Sequence, residues 1–154
     1  MYERILIPTD GSDVAEVAVD HAVDLANRYD ADLHALYVAD TEAINLTLGT
    51  EQVDRIREGR FSEMPELREE AAAATGHVSD VAAEYGIDVV EHHSGGVPHQ
   101  MIVQYAENND VDLIVMGSHG RSRVGKVVLG SVTAKTLRST HVPTLVVDYK
   151  GDFE

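Results

Sequence analysis

The chain contains no cysteine. Disulfides, thiolate metal sites and cysteine nucleophiles are therefore excluded. Basic side chains are scarce, 12 against 27 acidic ones, for a net charge of −15. A duplex-DNA binder normally carries a basic stripe, so no nucleic-acid partner is expected. No apolar run approaches the ~18 residues that a membrane span requires, so no membrane association is expected. The opening Met1-Tyr2-Glu3-Arg4 shows no basic segment followed by an apolar one. A cytoplasmic location is the expectation. What is present suits one domain over residues 1–154: hydrophobic residues are 44% and charged residues 25%. Few lysines among many aspartates suggest an acidic surface of the halophilic type, which high salt would screen.

Apolar and turn-forming residues alternate along the chain. Tyr2–Ile7 is β-branched and apolar and stops at Pro8-Thr9-Asp10-Gly11-Ser12. Asp13–Tyr29 has helical spacing, with Ser12 or Asp13 placed to cap it. Leu33–Val38 reads as a second strand, and Asp40–Pro65 as a long polar connection with a short helix around Glu51–Arg57. Glu66–Tyr85 returns to helical period and stops at Gly86. Ile87–His93 is a third strand, Gly95-Gly96-Val97 a turn, and Pro98 opens a helix that ends near Asn108. Val111–Met116 is a buried strand, Ser131–Ser139 a helix, and Thr144–Asp148 a last strand after Pro143. Strands alternating with helices predict an open parallel sheet with helices on both faces.

The stretch between the fourth strand and its helix carries the chemistry. It reads M-G-S-H-G-R-S-R-V-G-K-V-V-L-G-S-V-T over Met116–Thr133. Ligands of such sheets bind beyond the carboxyl ends of the strands, where the strand order reverses. In order 3-2-1-4-5 this stretch would face Pro8–Ser12 across a crevice. Gly117 and Gly120 would let backbone approach a ligand. Gly130 would open the helix, leaving the N–H groups of Ser131 and Val132 as donors. The Ser131 and Thr133 hydroxyls could add bonds to a phosphate. Arg121, Arg123 and Lys126 concentrate positive charge in a very acidic chain, which suits an anion. Asp10 is better suited to a base or ribose hydroxyl, or to a bound Mg2+.

The spacing Gly117-x2-Gly120-x9-Gly130-Ser131 resembles the nucleotide-binding signature of the universal stress protein family. Ile5–Ser12, Val115–Arg121, Leu129–Thr133 and Val142–Val147 resemble its other conserved blocks, so the likeness covers nearly the whole chain. The resemblance implies a Rossmann-like fold and binding of ATP, often with Mg2+ or Mn2+. By position it implies that Pro8, Thr9 and Asp10 line the adenosine side and that Val38 meets adenine through its backbone. Met116, Gly117, His119 and Gly120 would approach ribose and phosphates, and Gly130, Ser131 and Val132 would hold the phosphates. It further implies a homodimer through the last strand, Thr144–Asp148, which is an apolar edge in its own right. Val142 departs from the family, in which many members have a cysteine before the proline.

Other chemistries fit less well. G-x-x-x-x-G-K-[ST] is absent, and no G-x-G-x-x-G follows the first strand. Ser118-His119 lacks the G-x-S-x-G context of a hydrolase. His92 and His93 are adjacent on a strand and should point to opposite faces, a poor metal pair. The expected function is a stress-response or regulatory ATP-binding protein with at most weak hydrolysis. Two alternatives stand beside it. One is an adenine-nucleotide-dependent enzyme of the wider adenine-nucleotide α-hydrolase group, disfavoured because T-D-G-S replaces S-G-G-x-D-S. The other is a dimeric interaction module with a structural nucleotide. The sequence names no downstream protein partner.

Overall fold

The computed structural model describes residues 1–41, 64–119 and 129–149. In chain order the elements are β1 (Arg4–Pro8), α1 (Asp13–Tyr29), β2 (Asp32–Asp40), α2 (Pro65–Ala83), β3 (Val89–Gly96), α3 (Pro98–Asn108), β4 (Leu113–Gly117), α4 (Ser131–Ser139) and β5 (Thr144–Val147). The five strands form one parallel sheet in the order β3-β2-β1-β4-β5. This is the expected fold class and strand order. The proposed short helix at 51–57 and the tail lie outside the described residues.

Strand alternation sorts the core into two layers. Ile5, Ile7, Leu33, Ala35, Leu113 and Val115 pack on one face with Ala18, Val19, Ala22 and Ala26 of α1 and Val78 and Ala82 of α2. Leu6, Leu36, Ile114 and Met116 pack on the other face with Ile102 and Ala106 of α3 and, at the margin, Val132 of α4. Each central strand thus buries both faces, which is why the runs in β1 and β4 are apolar without interruption. At ~25 cal/mol per Å² of apolar surface, such two-sided burial is the dominant favourable contribution to the fold.

The structure moves several boundaries. The predicted turn at Gly95-Gly96-Val97 is instead the end of β3, where Gly95 and Gly96 pair with Ala39 and Asp40 of a longer β2. Gly96 has φ +153°, and a Cβ there would stand 3.1 Å from Met101 Cγ. Its glycine character serves close packing on α3. The third strand starts at Val89 because Ile87 N still donates to Ala82 O in the stop of α2. Tyr85, expected as the last residue of that helix, lies beyond its end and is exposed. Tyr29 is also exposed and packs edge-on against Tyr2.

Candidate functional site

β1 and β4 are neighbours, with Ile5 opposite Leu113 and Leu6 opposite Ile114. The loops that leave their carboxyl ends therefore start side by side. After β1, Thr9 N donates to Leu36 O at 2.9 Å. Thr9 Oγ1 accepts from Gly11 N, and Asp10 Oδ1 accepts from Ser12 N at 2.9 Å. Gly11 has φ +79°, a left-handed turn residue that swings the chain from strand into α1. Ser12 is the N-cap of α1, and its hydroxyl accepts from Ala15 N at 3.4 Å.

The end of β4 is built differently. Gly117 is tightly packed: a Cβ would stand 3.1 Å from Val14 Cγ1 and 3.3 Å from His119 O, so its neighbours would have to give way to admit one. Its missing side chain is thus used for contact between β4 and α1. Ser118 and His119 are buried. Ser118 O accepts from Gly130 N at 2.7 Å, closing the neck of the loop. Gly130 is the N-cap of α4 and supplies no side-chain acceptor. The first N–H to bond back is that of Ala134, onto Gly130 O at 3.0 Å. The N–H groups of Ser131, Val132 and Thr133 precede it at the positive end of the helix.

Val38 lies one strand further out. Leu36 O accepts from Thr9 N, so Leu36 turns its peptide groups toward β1. Val38, two residues on in the same extended strand, turns its own N–H and C=O the same way. β1 has ended at Pro8 by then. The Val38 peptide groups therefore face the mouth of the crevice, while its side chain packs against the Leu6–Met116 layer.

The described site residues thus gather at one end of the sheet. Pro8, Thr9 and Asp10 are on the β1 side, Val38 on β2, and Met116, Gly117 and His119 on β4. Gly130, Ser131 and Val132 are at the start of α4. Met116 and Val132 have side chains in the core, leaving only their backbone for a ligand. Thr133 requires a correction. It was expected to bond a phosphate, but its buried hydroxyl donates to Gly117 O at 2.8 Å. A hydroxyl has one proton, and this one ties α4 to β4. Gly120, Arg121, Arg123 and Lys126 lie outside the described residues.

Sequence reasoning missed Ser118 and Asp148. Ser118 Oγ donates to Asp148 Oδ1 at 2.7 Å, and Ser118 N donates to Val147 O at 2.8 Å. The signal was available in the register, since Gly117 opposite Val147 brings the next residue of each strand together. Between α1 and α2, a cavity of about 390 Å³ is lined by Gly11, Glu16, Glu66, Glu70, Ala73 and Ala74. Its three carboxylates suit no phosphate. The histidine pair divides as expected: the His93 Nε2 atom is 2.8 Å from Thr75 Oγ1 under α2, whereas His92 lies against the ring of Tyr105 on α3. The Thr75 hydroxyl also lies 3.0 Å from Ala71 O, so it links His93 to the backbone of α2. Burial lowers the pKa of His93 and of His34.

A five-stranded parallel sheet whose order reverses between β1 and β4, with helices on both faces and α4 opening beyond that point without a side-chain cap, defines a doubly wound α/β protein. The chain belongs to the universal stress protein family, whose family model matches residues 1–148. It is 37% identical to universal stress protein MJ0531 of Methanocaldococcus jannaschii over 96% of this chain and 82% of that one. It is 33% identical to universal stress protein MJ0577 of the same organism, over 98% of each. A solved structure of MJ0577 superposes with a TM-score of 0.78 at 31% identity, covering 97% of this chain and 98% of that one. A universal stress protein solved in complex with cAMP superposes with a TM-score of 0.64 at 25% identity, covering 95% and 97%. No helix among the described residues is long and apolar enough to cross a membrane.

Proposed function

We propose that this universal stress protein binds ATP in the crevice between the β1 and β4 loops and acts as a cytoplasmic stress-response regulator with at most slow hydrolysis. The observation that carries the reading is the start of α4. Gly130 leaves the helix without a side-chain cap, and no acidic residue stands in its first turn. Free helix N–H groups and a positive dipole end suit a phosphate chain. The outward peptide groups of Val38 suit the edge of an adenine ring, and Thr9 and Asp10 lie between the two. The relative solved with cAMP supports an adenine nucleotide as the ligand class.

A divalent cation, Mg2+ or Mn2+, would arrive on the phosphates. Among the described residues no three carboxylate or imidazole groups gather to cage one. Asp10 uses one oxygen on Ser12 N. It suits a hydroxyl of the ribose or an outer position on the ion. The cation would neutralise phosphate charge in a chain of net charge −15.

The test is mass analysis of nucleotide co-purified with the protein, followed by calorimetry with ATP and Mg2+. An adenine nucleotide and a saturable heat are expected. Neither nucleotide nor heat would overturn the reading. ADP release separates slow hydrolysis from plain binding.

A dimer through β5 is the second element of the reading. Among the described residues β5 pairs only with β4, and its Leu145 is 36% exposed. Sedimentation analysis should give twice the chain mass of 16.8 kDa. A monomer at micromolar concentration would remove this element.

A further inference from the structure

Ser118 has three polar groups, and each is committed to a different part of the molecule. Its N–H donates to Val147 O at the end of β5, at 2.8 Å. Its C=O accepts from the N–H of Gly130, the N-cap of α4, at 2.7 Å. Its hydroxyl donates to Asp148 Oδ1, just beyond β5, at 2.7 Å. The residue is only 2% exposed. Next to it, Thr133 fastens the first turn of α4 to Gly117 O. The start of α4, the end of β4 and the end of β5 thus meet at one side chain.

We propose that Ser118 is a positioning residue that couples the phosphate end of the crevice to the edge strand β5. The coupling rests on the nucleotide reading given above. A phosphate drawn onto the N–H groups of Ser131 and Val132 pulls on the first turn of α4. Gly130 moves with that turn, and its N–H is held by Ser118 O. Ser118 cannot follow unless its bonds to Val147 and Asp148 follow too. They meet at Ser118, which is buried, so its own polar groups are costly to leave without partners. The Ser118–Asp148 bond therefore fixes the height of the helix start before ligand arrives. In return, it passes the ligand's pull to β5, whose far side has no strand partner among the described residues. By linkage, whatever seats on β5 then alters nucleotide affinity by the same factor.

The experiment combines calorimetry of ATP with Mg2+ and amide hydrogen exchange, on wild type, Ser118→Ala, Asp148→Ala and Asp148→Asn. Asp148 is exposed, so its variants keep the test open should the buried Ser118→Ala fail to fold. Asp148→Asn retains an oxygen that can accept from Ser118. In wild type, ATP should raise protection of the Val146–Asp148 amides by roughly tenfold. Ser118→Ala and Asp148→Ala should each bind ATP about tenfold more weakly, within the range usual for coupled sites. At saturating ATP, neither should show the added protection in β5. Asp148→Asn should match wild type in both readings, which a loss of charge alone would not allow. Unchanged ATP affinity in both alanine variants overturns the proposal. So does ATP-induced protection of β5 that survives in them. An Asp148→Asn variant as defective as Asp148→Ala overturns the hydrogen-bond account. Absence of ATP binding by wild type itself overturns the nucleotide reading, and the coupling with it.

Discussion

Two helices open at the same crevice, and their first turns have opposite chemistry. α1 is closed on itself. Ser12 caps it, Asp10 and Thr9 fold back on Gly11 and Ser12, and Asp13 and Glu16 place negative charge on its first turn. α4 begins at a glycine, brings no acidic residue to its first turn and keeps the N–H groups of Ser131, Val132 and Thr133. α2 and α3 also lack a side-chain cap, but each starts with a proline, which removes the first N–H. An anion approaching the β1/β4 mouth therefore meets a repelling helix end on one side and an attracting one on the other. On the proposed reading, this asymmetry would orient the nucleotide with its phosphates toward α4 and its nucleoside toward Asp10 and Val38.

The comparison is broken most directly by giving α4 the kind of cap that α1 has. In Gly130→Asp the new carboxylate would accept from the N–H groups of the first turn and repel phosphate. The backbone there, φ −71°, tolerates any side chain. Affinity for ATP should fall by roughly a hundredfold or more, while stability changes by no more than a few tenths of a kcal/mol. Calorimetry and thermal unfolding read the two effects separately. Normal binding would place the phosphates elsewhere. The next largest effect is structural. Thr133→Ala leaves the buried Gly117 carbonyl without its 2.8 Å donor. A cost of about 1–3 kcal/mol is expected in denaturant unfolding. Thr133→Ser should restore most of it, because the hydroxyl is kept.

Much of this asymmetry could be read from residue order. Asp13–Tyr29 and Ser131–Ser139 were placed with the bounds they have, because a cap or a glycine marks each start and apolar spacing marks each face. Alternation and handedness left few topologies, and the expected order 3-2-1-4-5 is the one the structure has. Thr133 was misread because its partner is a carbonyl sixteen residues away in sequence. Spacing identifies a hydroxyl but not what accepts its proton. The glycines of β3 were misread as a turn because Gly-Gly commonly bends a chain, whereas here β2 extends to pair with both. Gly117 served two readings at once. Its place in the motif suggested a ligand, and only the approach of Val14 showed that packing favours it too. Ser118 escaped notice because its role lies in a register between two strands, not in a motif.

Changes on the α1 side should leave binding nearly intact and so sharpen the contrast. Ser12→Ala removes the cap of α1. At 3.4 Å that bond is long, so the loss of stability should sit near ~0.5–1 kcal/mol. ATP affinity should change by less than about twofold, because this helix end does not hold the phosphates. A tenfold loss would mean that α1 takes part in anion binding, and the two helix ends would no longer differ in role.

The smallest effect is the most telling about charge. Glu16 lies in the first turn of α1 and lines the acidic cavity beside Glu66 and Glu70. It contributes to a negative field at the mouth without touching the proposed phosphate position. Replacing it as Glu16→Gln removes one charge and keeps the shape. ATP affinity should rise by up to about twofold at low salt, because a repulsive charge near a helix N-terminus is gone. At ~1 M salt the Debye length falls to about 3 Å, and the gain should vanish. Calorimetry of both proteins across a salt series reads this directly. A gain that persists in high salt would point to a contact rather than a field, and would move the nucleotide toward α1. A gain that fades with salt leaves α1 as the repelling wall that turns the phosphates toward Gly130.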